Sequence, residues 1–316
     1  MTGIAAPTRP APASRRPALR RFALALLAPL VVLAPLAGHA ALGGERVVHR
    51  EKSLYRDILV VESDGQRCLA FSVRKRVTNR QSCIYPAQPE RLALDYTRMM
   101  LIGLYAQPAP QRVLVVGLGG GILPQALARL VPQAQVDSVE IDEAVVRVAQ
   151  RWFGYRTSPR SAVAVQDGRV YVKRALRAGT RYDLVFLDAY DHEYVPEHLL
   201  TREFLREVRA VLAPGGIVVA NTFSSSRLYH SESATWAAAF GGFAQLELAN
   251  RVIVASNGPL PTVGQLRTQA ARWAPAFAPL GIEGTWLVDL WRADPRWNER
   301  ARVLTDQYSP SNLLNR

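Results

Sequence analysis

The 316-residue sequence predicts an α/β fold, in which a doubly wound sheet is preceded by a small antiparallel β domain. Three observations support this prediction. Short apolar runs alternate with amphipathic segments between residues 112 and 221, which is typical of parallel strands joined by crossover helices. A glycine-rich turn follows the first of these runs. Before residue 86, apolar residues alternate with polar ones between turn signals, which favours antiparallel hairpins.

Residues 1–44 are predicted to be a targeting segment outside the fold. They contain five arginines and no acidic residue, and small residues follow the apolar run 22–37. Two interpretations stay open: a signal peptide cleaved near Ala40, or an uncleaved membrane tether through residues 22–42. Both predict an exported or membrane-anchored protein. Because basic residues flank the segment on both sides, a cytoplasmic-facing orientation also stays open.

Residues 45–108 are predicted to form the small β domain and a linking helix. Turn signals lie at residues 64–65 and 78–79, and Pro86 ends the β region. The predicted strands span residues 55–62, 66–73 and 81–85, and the helix spans residues 92–105.

The chain has two cysteines, Cys68 and Cys83, which fall in neighbouring predicted strands. In an oxidising compartment they would pair as a disulfide, and otherwise they would be two buried thiols. The sequence leaves both alternatives open. We expect no metal site, because no His or Cys pair accompanies them at ligand spacing.

Residues 109–316 are predicted to form the large α/β domain. Its predicted elements are strand 113–116, helix 122–130, strand 135–141, helix 143–152, strand 161–165, helix 169–177, strand 182–187, helix 201–212 and strand 216–221. The segment 236–240, two short strands near 246 and 252, and a helix around 266–277 complete the domain.

A glycine-rich turn follows the apolar strand 113–116 and leaves no side chains in the way of a ligand. Its glycines are Gly117, Gly119, Gly120 and Gly121. A dinucleotide site would have Gly-x-Gly-x-x-Gly, but the last position of that pattern is Ile122 here. The sequence therefore predicts an adenosine-containing ligand other than a dinucleotide.

Two further strands end in acidic residues that suit such a ligand. Glu140 ends the second strand, nineteen positions after Gly121, where an acidic side chain accepts hydrogen bonds from ribose hydroxyls. Asp167 ends the third strand, where it can accept a hydrogen bond from an adenine amino group. An acidic residue that binds the ribose, followed on the next strand by one that binds the adenine, favours S-adenosylmethionine or a relative of it as the ligand.

The fourth strand, 182–187, is followed by a cluster of acids at the edge of the sheet where ligands bind. Asp188 is the candidate general base, because it follows a buried strand directly and would face a bound cation. Asp191 is the candidate partner of a cationic substrate group. His192 and Glu193 are expected to be solvated.

Residues from about Tyr55 to Leu314 resemble the spermidine/spermine synthase family of polyamine aminopropyltransferases. The motifs that carry the resemblance are Tyr96-Thr-Arg-Met-Met100, Gly117-Leu-Gly-Gly-Gly121, Val139-Glu-Ile-Asp142, Gln166-Asp-Gly168, Asp188-Ala-Tyr-Asp191, Leu200-Thr-Arg-Glu-Phe204 and Leu304-Thr-Asp-Gln-Tyr-Ser-Pro310. The resemblance implies a doubly wound, methyltransferase-like Rossmann sheet preceded by a small antiparallel β domain.

The resemblance also implies roles for individual residues. Glu140 would hold the ribose of decarboxylated S-adenosylmethionine, and Asp167 would hold its adenine. Asp188 would accept the proton of the attacking amine, while Asp191 and Tyr96 would bind the amine or polyamine acceptor. The other donor-binding residues would be Gly117, Gly119, Gly121, Asp142 and Gly168.

The chain departs from the family pattern at two positions. Gly120 stands where the family has an acid that helps to hold the amine of the aminopropyl donor. Arg98 stands where the family has an acid near the domain junction, and from that position it is expected to repel a polyamine. These departures identify the chain as a divergent member.

Three functions follow as hypotheses. The first is spermidine synthase-like aminopropyl transfer in polyamine biosynthesis; the second is S-adenosylmethionine-dependent methylation, for which the loss of an acid at Gly120 would make room for the methionine carboxylate. The third is a non-catalytic exported binding protein. No nucleic-acid partner is predicted, although the net charge is +13, because the arginines are scattered without a nucleic-acid motif. A homodimer is a further expectation.

Overall fold

Two sheets organise the chain in the computed structural model, which describes residues 44–73, 76–189, 196–224 and 228–314. The predicted targeting segment up to residue 43 and the candidate Asp191 lie outside the described residues. Leu42–Arg316 forms one compact unit, and its division into two domains at residue 108 stays a prediction.

The first sheet is antiparallel, with its four strands in sequential order. The strands are β1 (Arg46–Lys52), β2 (Asp57–Ser63), β3 (Gln66–Val73) and β4 (Arg76–Ile84). The predicted turn at Asp64 and Gly65 is confirmed, because both residues have positive φ angles. Strand β1 was missed because it is an edge strand rich in charged residues, without a continuous apolar face.

The turn predicted at residues 78–79 was wrong, since both residues lie inside strand β4. The register of β3 against β4 shifts twice, once between Leu69 and Ala70 and once between Phe71 and Ser72. These irregularities place Thr78 in a bulge of a continuing strand. The polar residues that suggest a turn in the sequence accompany that bulge.

Cys68 and Cys83 lie opposite each other on β3 and β4 and form a disulfide, with their Cα atoms 4.1 Å apart. Both side chains are buried. Of the two alternatives that the sequence leaves open, the structure therefore contains the disulfide.

The predicted linking helix is two short helices, α1 (Asp95–Met100) and α2 (Ile102–Ala106). Their apolar side chains, including Met99, Met100 and Leu104, are fully buried in the core that covers one face of the large sheet. This packing fixes Tyr96, on the first turn of α1, relative to the large sheet.

The large sheet has seven strands in the order β10-β11-β9-β8-β5-β6-β7. They are β5 (Arg112–Val116), β6 (Gln135–Glu140), β7 (Ser161–Val165), β8 (Tyr182–Leu187), β9 (Leu212–Phe223), β10 (Ala244–Glu247) and β11 (Asn250–Ser256). Strands β5 to β9 are parallel, as predicted, whereas β10 and β11 are antiparallel additions at one edge.

Helices cover both faces of this sheet. They are α3 (Ile122–Leu130), α4 (Glu143–Trp152), α5 (Gly168–Arg177), α6 (Arg202–Val211), α7 (Leu228–Phe240), α8 (Val263–Phe277), α9 (Trp286–Asp289) and α10 (Ser311–Leu314). Strand β5 shows why both faces are apolar: Val113 and Val115 pack into one core, and Leu114 and Val116 pack into the other.

None of the helices in the described part of the chain combines the length and the apolarity that crossing a bilayer requires. The predicted tether, residues 22–42, lies outside that part.

Candidate active site

A cavity of about 500 Å³ lies where the carboxyl ends of the parallel strands meet. Eight of the sequence-predicted site residues line it: Tyr96, Gly117, Gly119, Glu140, Asp142, Asp167, Gly168 and Asp188. Gly121 is not among the lining residues. A side chain at Gly121 would collide with the ring of Tyr155 at 2.6 Å, so this glycine serves helix packing.

The glycine turn brings three strand ends together. Gly117 has a φ of +97°, and a Cβ atom there would lie 2.1 Å from the carbonyl oxygen of Asp188. Only glycine fits this position, because both the backbone angle and the contact exclude a side chain. Gly117 therefore lets the end of β8, with Asp188, come next to the turn.

Strand β4 of the first sheet also reaches the glycine turn. The N–H of Gly120 donates a hydrogen bond to Ser82 Oγ at 2.9 Å, and Ser82 is buried. A Cβ atom at Gly120 would lie 3.0 Å from Ser82 Cβ and 3.2 Å from the ring of Phe153. The space beside Gly120 is therefore occupied by Ser82 and Phe153, which the sequence did not reveal.

Glu140 ends strand β6 with both carboxylate oxygens held by the backbone. Its Oε2 accepts a hydrogen bond from Leu118 N–H and its Oε1 accepts one from Asp142 N–H, each at 3.0 Å. Burial raises the pKa of Glu140, and these two backbone hydrogen bonds oppose the rise. The fixed carboxylate can accept further hydrogen bonds from ligand hydroxyls.

Asp142 lies at the N-terminus of α4, and its two carboxylate oxygens differ in their hydrogen bonding. Its Oδ1 caps the helix by accepting a hydrogen bond from Ala144 N–H at 3.0 Å. Its Oδ2 is buried and has no hydrogen-bond partner among the described residues. Asp142 is 5% exposed and lines the cavity, so its Oδ2 is a buried acceptor without a protein partner next to the candidate ligand site.

Asp167 has the same position at the N-terminus of α5. Its Oδ1 accepts a hydrogen bond from Val170 N–H at 2.9 Å, and its Oδ2 lies 2.8 Å from Nε2 of His198. The His198 side chain holds the pKa of Asp167 below its usual range, so Asp167 is a carboxylate at neutral pH. His198 also lines the cavity, although no sequence pattern indicated it as a site residue.

Asp188 follows strand β8 and accepts a hydrogen bond at Oδ1 from Asn221 Nδ2, at 3.0 Å. Asn221 in turn accepts a hydrogen bond from Asn250 Nδ2 at 3.1 Å. Burial raises the pKa of Asp188 to about 7, while the hydrogen bond from Asn221 and the polar hydroxyl of nearby Tyr96 favour its charged form. The negative charge of Glu140 raises the pKa further.

Tyr96 donates a hydrogen bond from its hydroxyl to the backbone oxygen of Gln81 at 2.8 Å. Burial, reinforced by the charge of Asp188, raises the pKa of Tyr96 and keeps its hydroxyl protonated. Tyr96 and the candidate base line the same cavity, and the role of Tyr96 in binding the acceptor stays a prediction.

Arg98 does not face the cavity, and the expectation that it repels a cationic ligand there was wrong. Its guanidinium donates to the carbonyl oxygen of Gly281 at 3.2 Å and pairs with Asp95. It also lies over the ring of Trp286. Tyr96 and Arg98 are two positions apart on helix α1, and about half a helical turn therefore separates the directions of their side chains.

Negative charge predominates at the cavity. Five carboxylates line it: Asp95, Glu140, Asp142, Asp167 and Asp188. Arg56 and Arg80 also line it; Arg80 is paired with Glu45 and Asp95 is paired with Arg98, so the other four carboxylates still outnumber the cationic side chains that line the cavity. This balance suits a ligand that carries positive charge. Asp95 was missed as a site residue because it belongs to a helix start, not to a strand end.

Other lining residues that the sequence analysis missed are Ser82, His198, Asn221 and Asn250. Asn221 could have been found, because it ends the predicted strand 216–221 at the same edge of the sheet. The others come from the first sheet, a 3₁₀ turn and an antiparallel strand, for which no motif gave a signal. Across the described ranges, no cluster of three or more His, Cys, Asp or Glu residues is placed to hold a metal ion.

The sequence is similar to proteins of known family. A family model described as the spermine/spermidine synthase domain matches residues 94–246. A polyamine aminopropyltransferase of Vibrio vulnificus is 45% identical over 273 residues, which cover 84% of this chain and 90% of that protein. The human eEF1A lysine and N-terminal methyltransferase is 33% identical over 146 residues, which cover 41% of this chain and 21% of that protein.

Among solved structures, a probable spermidine synthase from Corynebacterium glutamicum shares the fold. The TM-score is 0.60 with 21% identity, over 80% of this chain and 97% of that one.

Proposed function

This chain belongs to the spermidine/spermine synthase family, and on this premise we propose that it transfers an aminopropyl group from decarboxylated S-adenosylmethionine to an amine acceptor. One observation carries the proposal. Carboxylates at the ends of strands β6, β7 and β8, which are Glu140, Asp167 and Asp188, line a single cavity beside the glycine turn. A cationic nucleoside sulfonium matches both the arrangement and the charge of this cavity.

In the proposed complex, the adenosine lies along the edge formed by β6 and β7. Glu140 accepts hydrogen bonds from the ribose hydroxyls, and Asp167 accepts one from the adenine amino group. Gly117, Gly119 and Gly168 leave room for the nucleoside, and the unpartnered Oδ2 of Asp142 offers a further acceptor.

Asp188 is proposed to be the general base. The nitrogen of the acceptor amine attacks the methylene carbon next to the sulfonium; a C–N bond forms while the C–S bond breaks, and methylthioadenosine leaves. The extra proton on the nitrogen passes to Asp188. A pKa of about 7 in the free protein keeps a substantial fraction of Asp188 ionised at neutral pH while it remains basic enough to accept a proton.

The remaining contribution of the protein is orientation, since the sulfonium is already a good leaving group. Asn221 positions the Asp188 carboxylate through a hydrogen bond. Asp191 is proposed to bind the second cationic group of a polyamine.

A titration experiment tests the donor. Isothermal titration of the purified chain with decarboxylated and with intact S-adenosylmethionine measures the two dissociation constants, and release of methylthioadenosine in the presence of an amine measures transfer. We expect tighter binding of the decarboxylated donor and amine-dependent release. Binding of neither donor would overturn the proposal and favour a non-catalytic binding protein.

Methylation is the second candidate, favoured by the similarity to the human methyltransferase over 146 residues. The packing at Gly120 counts against it: Ser82 and Phe153 fill the space that a methionine carboxylate was expected to use. A preference for the intact donor, with methyl transfer to an acceptor, would support this candidate over aminopropyl transfer.

We further infer that residues 22–42 export or tether the protein, because basic residues precede an apolar run that small residues follow. A fusion of residues 1–44 to a reporter that is active only outside the cytoplasm tests this. An inactive reporter would overturn the inference. Dimerisation also stays a proposal, which the molar mass of the purified chain in solution tests.

A further inference from the structure

A histidine and a carboxylate form a pair on the wall of the cavity. His198 Nε2 lies 2.8 Å from Asp167 Oδ2, while Asp167 Oδ1 accepts the hydrogen bond from Val170 N–H at 2.9 Å. Because both oxygens have a fixed partner, the plane of the Asp167 carboxylate cannot rotate freely. Its remaining lone pairs therefore face the cavity in one orientation.

His198 is itself held from behind. It lies on a single 3₁₀ turn, Glu197–Leu199, and its carbonyl oxygen accepts a hydrogen bond from Arg169 Nη1 at 3.3 Å. Arg169 is 9% exposed and makes a two-pronged contact with Asp306, at 2.7 and 2.8 Å. A second two-pronged contact joins the same guanidinium to Glu207, at 2.8 Å for both bonds.

The C-terminal segment, residues 304–312, encloses the same turn. The hydroxyl of Ser309 donates to the carbonyl oxygen of Glu197 at 3.0 Å, and the Asn312 amide donates to the Glu197 side chain at 3.2 Å. The Thr201 hydroxyl donates to Asp306 at 2.7 Å. The turn that carries His198 is thus fixed on one side by α5 and on the other by the end of the chain.

We propose that His198 is a positioning residue for purine recognition, and that the C-terminal segment 304–312 holds it in place through Arg169. The inference rests on the proposed function, in which Asp167 faces the adenine. A carboxylate in a fixed orientation accepts a hydrogen bond from the amino group of adenine and repels the carbonyl oxygen of hypoxanthine. His198 is thereby a determinant of selectivity, without itself taking part in the chemistry.

The test compares two nucleosides that differ at this one group. Methylthioadenosine and methylthioinosine are titrated into the wild-type chain and into His198→Ala and His198→Gln. We expect wild type to favour methylthioadenosine, and His198→Ala to weaken methylthioadenosine binding about tenfold while methylthioinosine changes less than about twofold. Gln can donate from a similar position, so His198→Gln should recover most of the selectivity.

Two variants test the part played by the C-terminal segment. Arg169→Lys keeps the positive charge but cannot make bidentate contacts, and Asp306→Asn removes one of the two carboxylates that Arg169 contacts. Both variants should reduce the selectivity for methylthioadenosine over methylthioinosine. Lys173→Ala is the matched control, because Lys173 lies on the same helix and approaches the same Glu207, at 3.6 Å, away from His198. We expect the control to keep wild-type selectivity.

The outcomes separate this inference from the function on which it rests. If wild type binds neither nucleoside, both are overturned. If wild type discriminates and His198→Ala discriminates equally well, the proposed function stands and the role of His198 is overturned. Equal weakening of both nucleosides by His198→Ala would also overturn it, because that result indicates a general structural effect.

Discussion

Asn221 donates a hydrogen bond from its side-chain amide to the Asp188 carboxylate over 3.0 Å, and its own oxygen is held by Asn250 at 3.1 Å. The three residues come from three adjacent strand ends, so the orientation of the candidate base is set by the large sheet. Burial raises the pKa of Asp188, and this hydrogen bond works in the opposite direction by favouring the ionised form.

Removal of this donor should shift the pH dependence of the reaction. In Asn221→Leu, the ionised form of Asp188 loses a hydrogen bond, so its pKa rises above the wild-type value of about 7. Since the base must be ionised to accept a proton, kcat/KM should fall more at about pH 6 than at about pH 8.5. The measurement is the acid limb of kcat/KM against pH.

Asn250→Leu is the control for this shift, because Asn250 acts on Asp188 only through Asn221. Asn250→Leu should shift the acid limb of kcat/KM by less than Asn221→Leu does. An acid limb that stays in place in Asn221→Leu would mean that another group controls the pH dependence.

Asp188→Asn should abolish transfer and leave donor binding nearly unchanged. The Asn side chain still accepts the hydrogen bond from Asn221, so the local structure should persist while the proton acceptor is lost. The measurements are methylthioadenosine release and the dissociation constant of the donor. Normal turnover in this variant would exclude Asp188 as the base.

The same substitution should make the protein more stable at alkaline pH. Asp188 has a pKa of about 7 in the folded protein and an ordinary value of 3.8, so the folded state binds its proton more tightly. The free energy of unfolding of wild type therefore falls as pH rises from about 4 to about 7, by at most about 4 kcal/mol, and Asn lacks this loss. The Tm difference between variant and wild type should grow from about pH 5 to about pH 8. A difference that is constant with pH would contradict the raised pKa.

The strand-end acids show what the sequence could predict. Glu140, Asp167 and Asp188 mark the ends of three strands of one parallel sheet, and parallel strands present their carboxyl ends at one edge. Periodicity and chain order were therefore enough to place them together. The same logic applies to Asn221, at the end of the next parallel strand.

Contacts that depend on tertiary packing were beyond such reasoning. Ser82 meets Gly120 from a different sheet, 38 positions earlier in the chain, and His198 meets Asp167 from a turn 31 positions later. Arg98 was placed near the site by its position in a motif, yet helix geometry turns its side chain towards Gly281. The local sequence around these residues does not determine which way their side chains point.

Glu140→Gln should weaken donor binding about tenfold or more. In Gln, an amide NH2 replaces one of the two carboxylate oxygens, so the hydrogen bond from either Leu118 N–H or Asp142 N–H is lost. The side chain also accepts fewer hydrogen bonds from the ribose hydroxyls. Titration with methylthioadenosine measures the change. Glu143→Gln is the control, because Glu143 lies three residues later and pairs with Arg147 on the surface. Unchanged affinity in Glu140→Gln would place the ribose elsewhere.

The disulfide between Cys68 and Cys83 should stabilise the first sheet. It closes a loop with a sequence separation of 15, for which the chain-entropy account gives about 3 kcal/mol. The double variant Cys68→Ala/Cys83→Ala should therefore show a lower Tm than the oxidised wild type. A thiol reductant should lower the Tm of wild type and leave that of the variant unchanged. Equal Tm values for oxidised wild type and variant would mean that the bond contributes little to stability.

Gly120→Asp should destabilise the protein and should not by itself create a site for a donor amine. Its Cβ would lie 3.0 Å from Ser82 Cβ and 3.2 Å from the ring of Phe153, closer than ordinary packing allows. Such overpacking costs about 1–3 kcal/mol. Ser82→Gly in the same chain removes the nearest obstacle, so the double variant should recover part of the lost Tm.

Gly242→Ala is the matched control for the substituted glycine, because a Cβ atom there meets nothing within 4 Å. It should change Tm little. The double variant Ser82→Gly/Gly120→Asp also tests donor recognition, because an acid with room beside the glycine turn should favour the decarboxylated donor over the intact one. If Gly120→Asp alone is as stable as wild type, Ser82 and Phe153 do not fill this space in solution, and the packing argument against the intact donor fails.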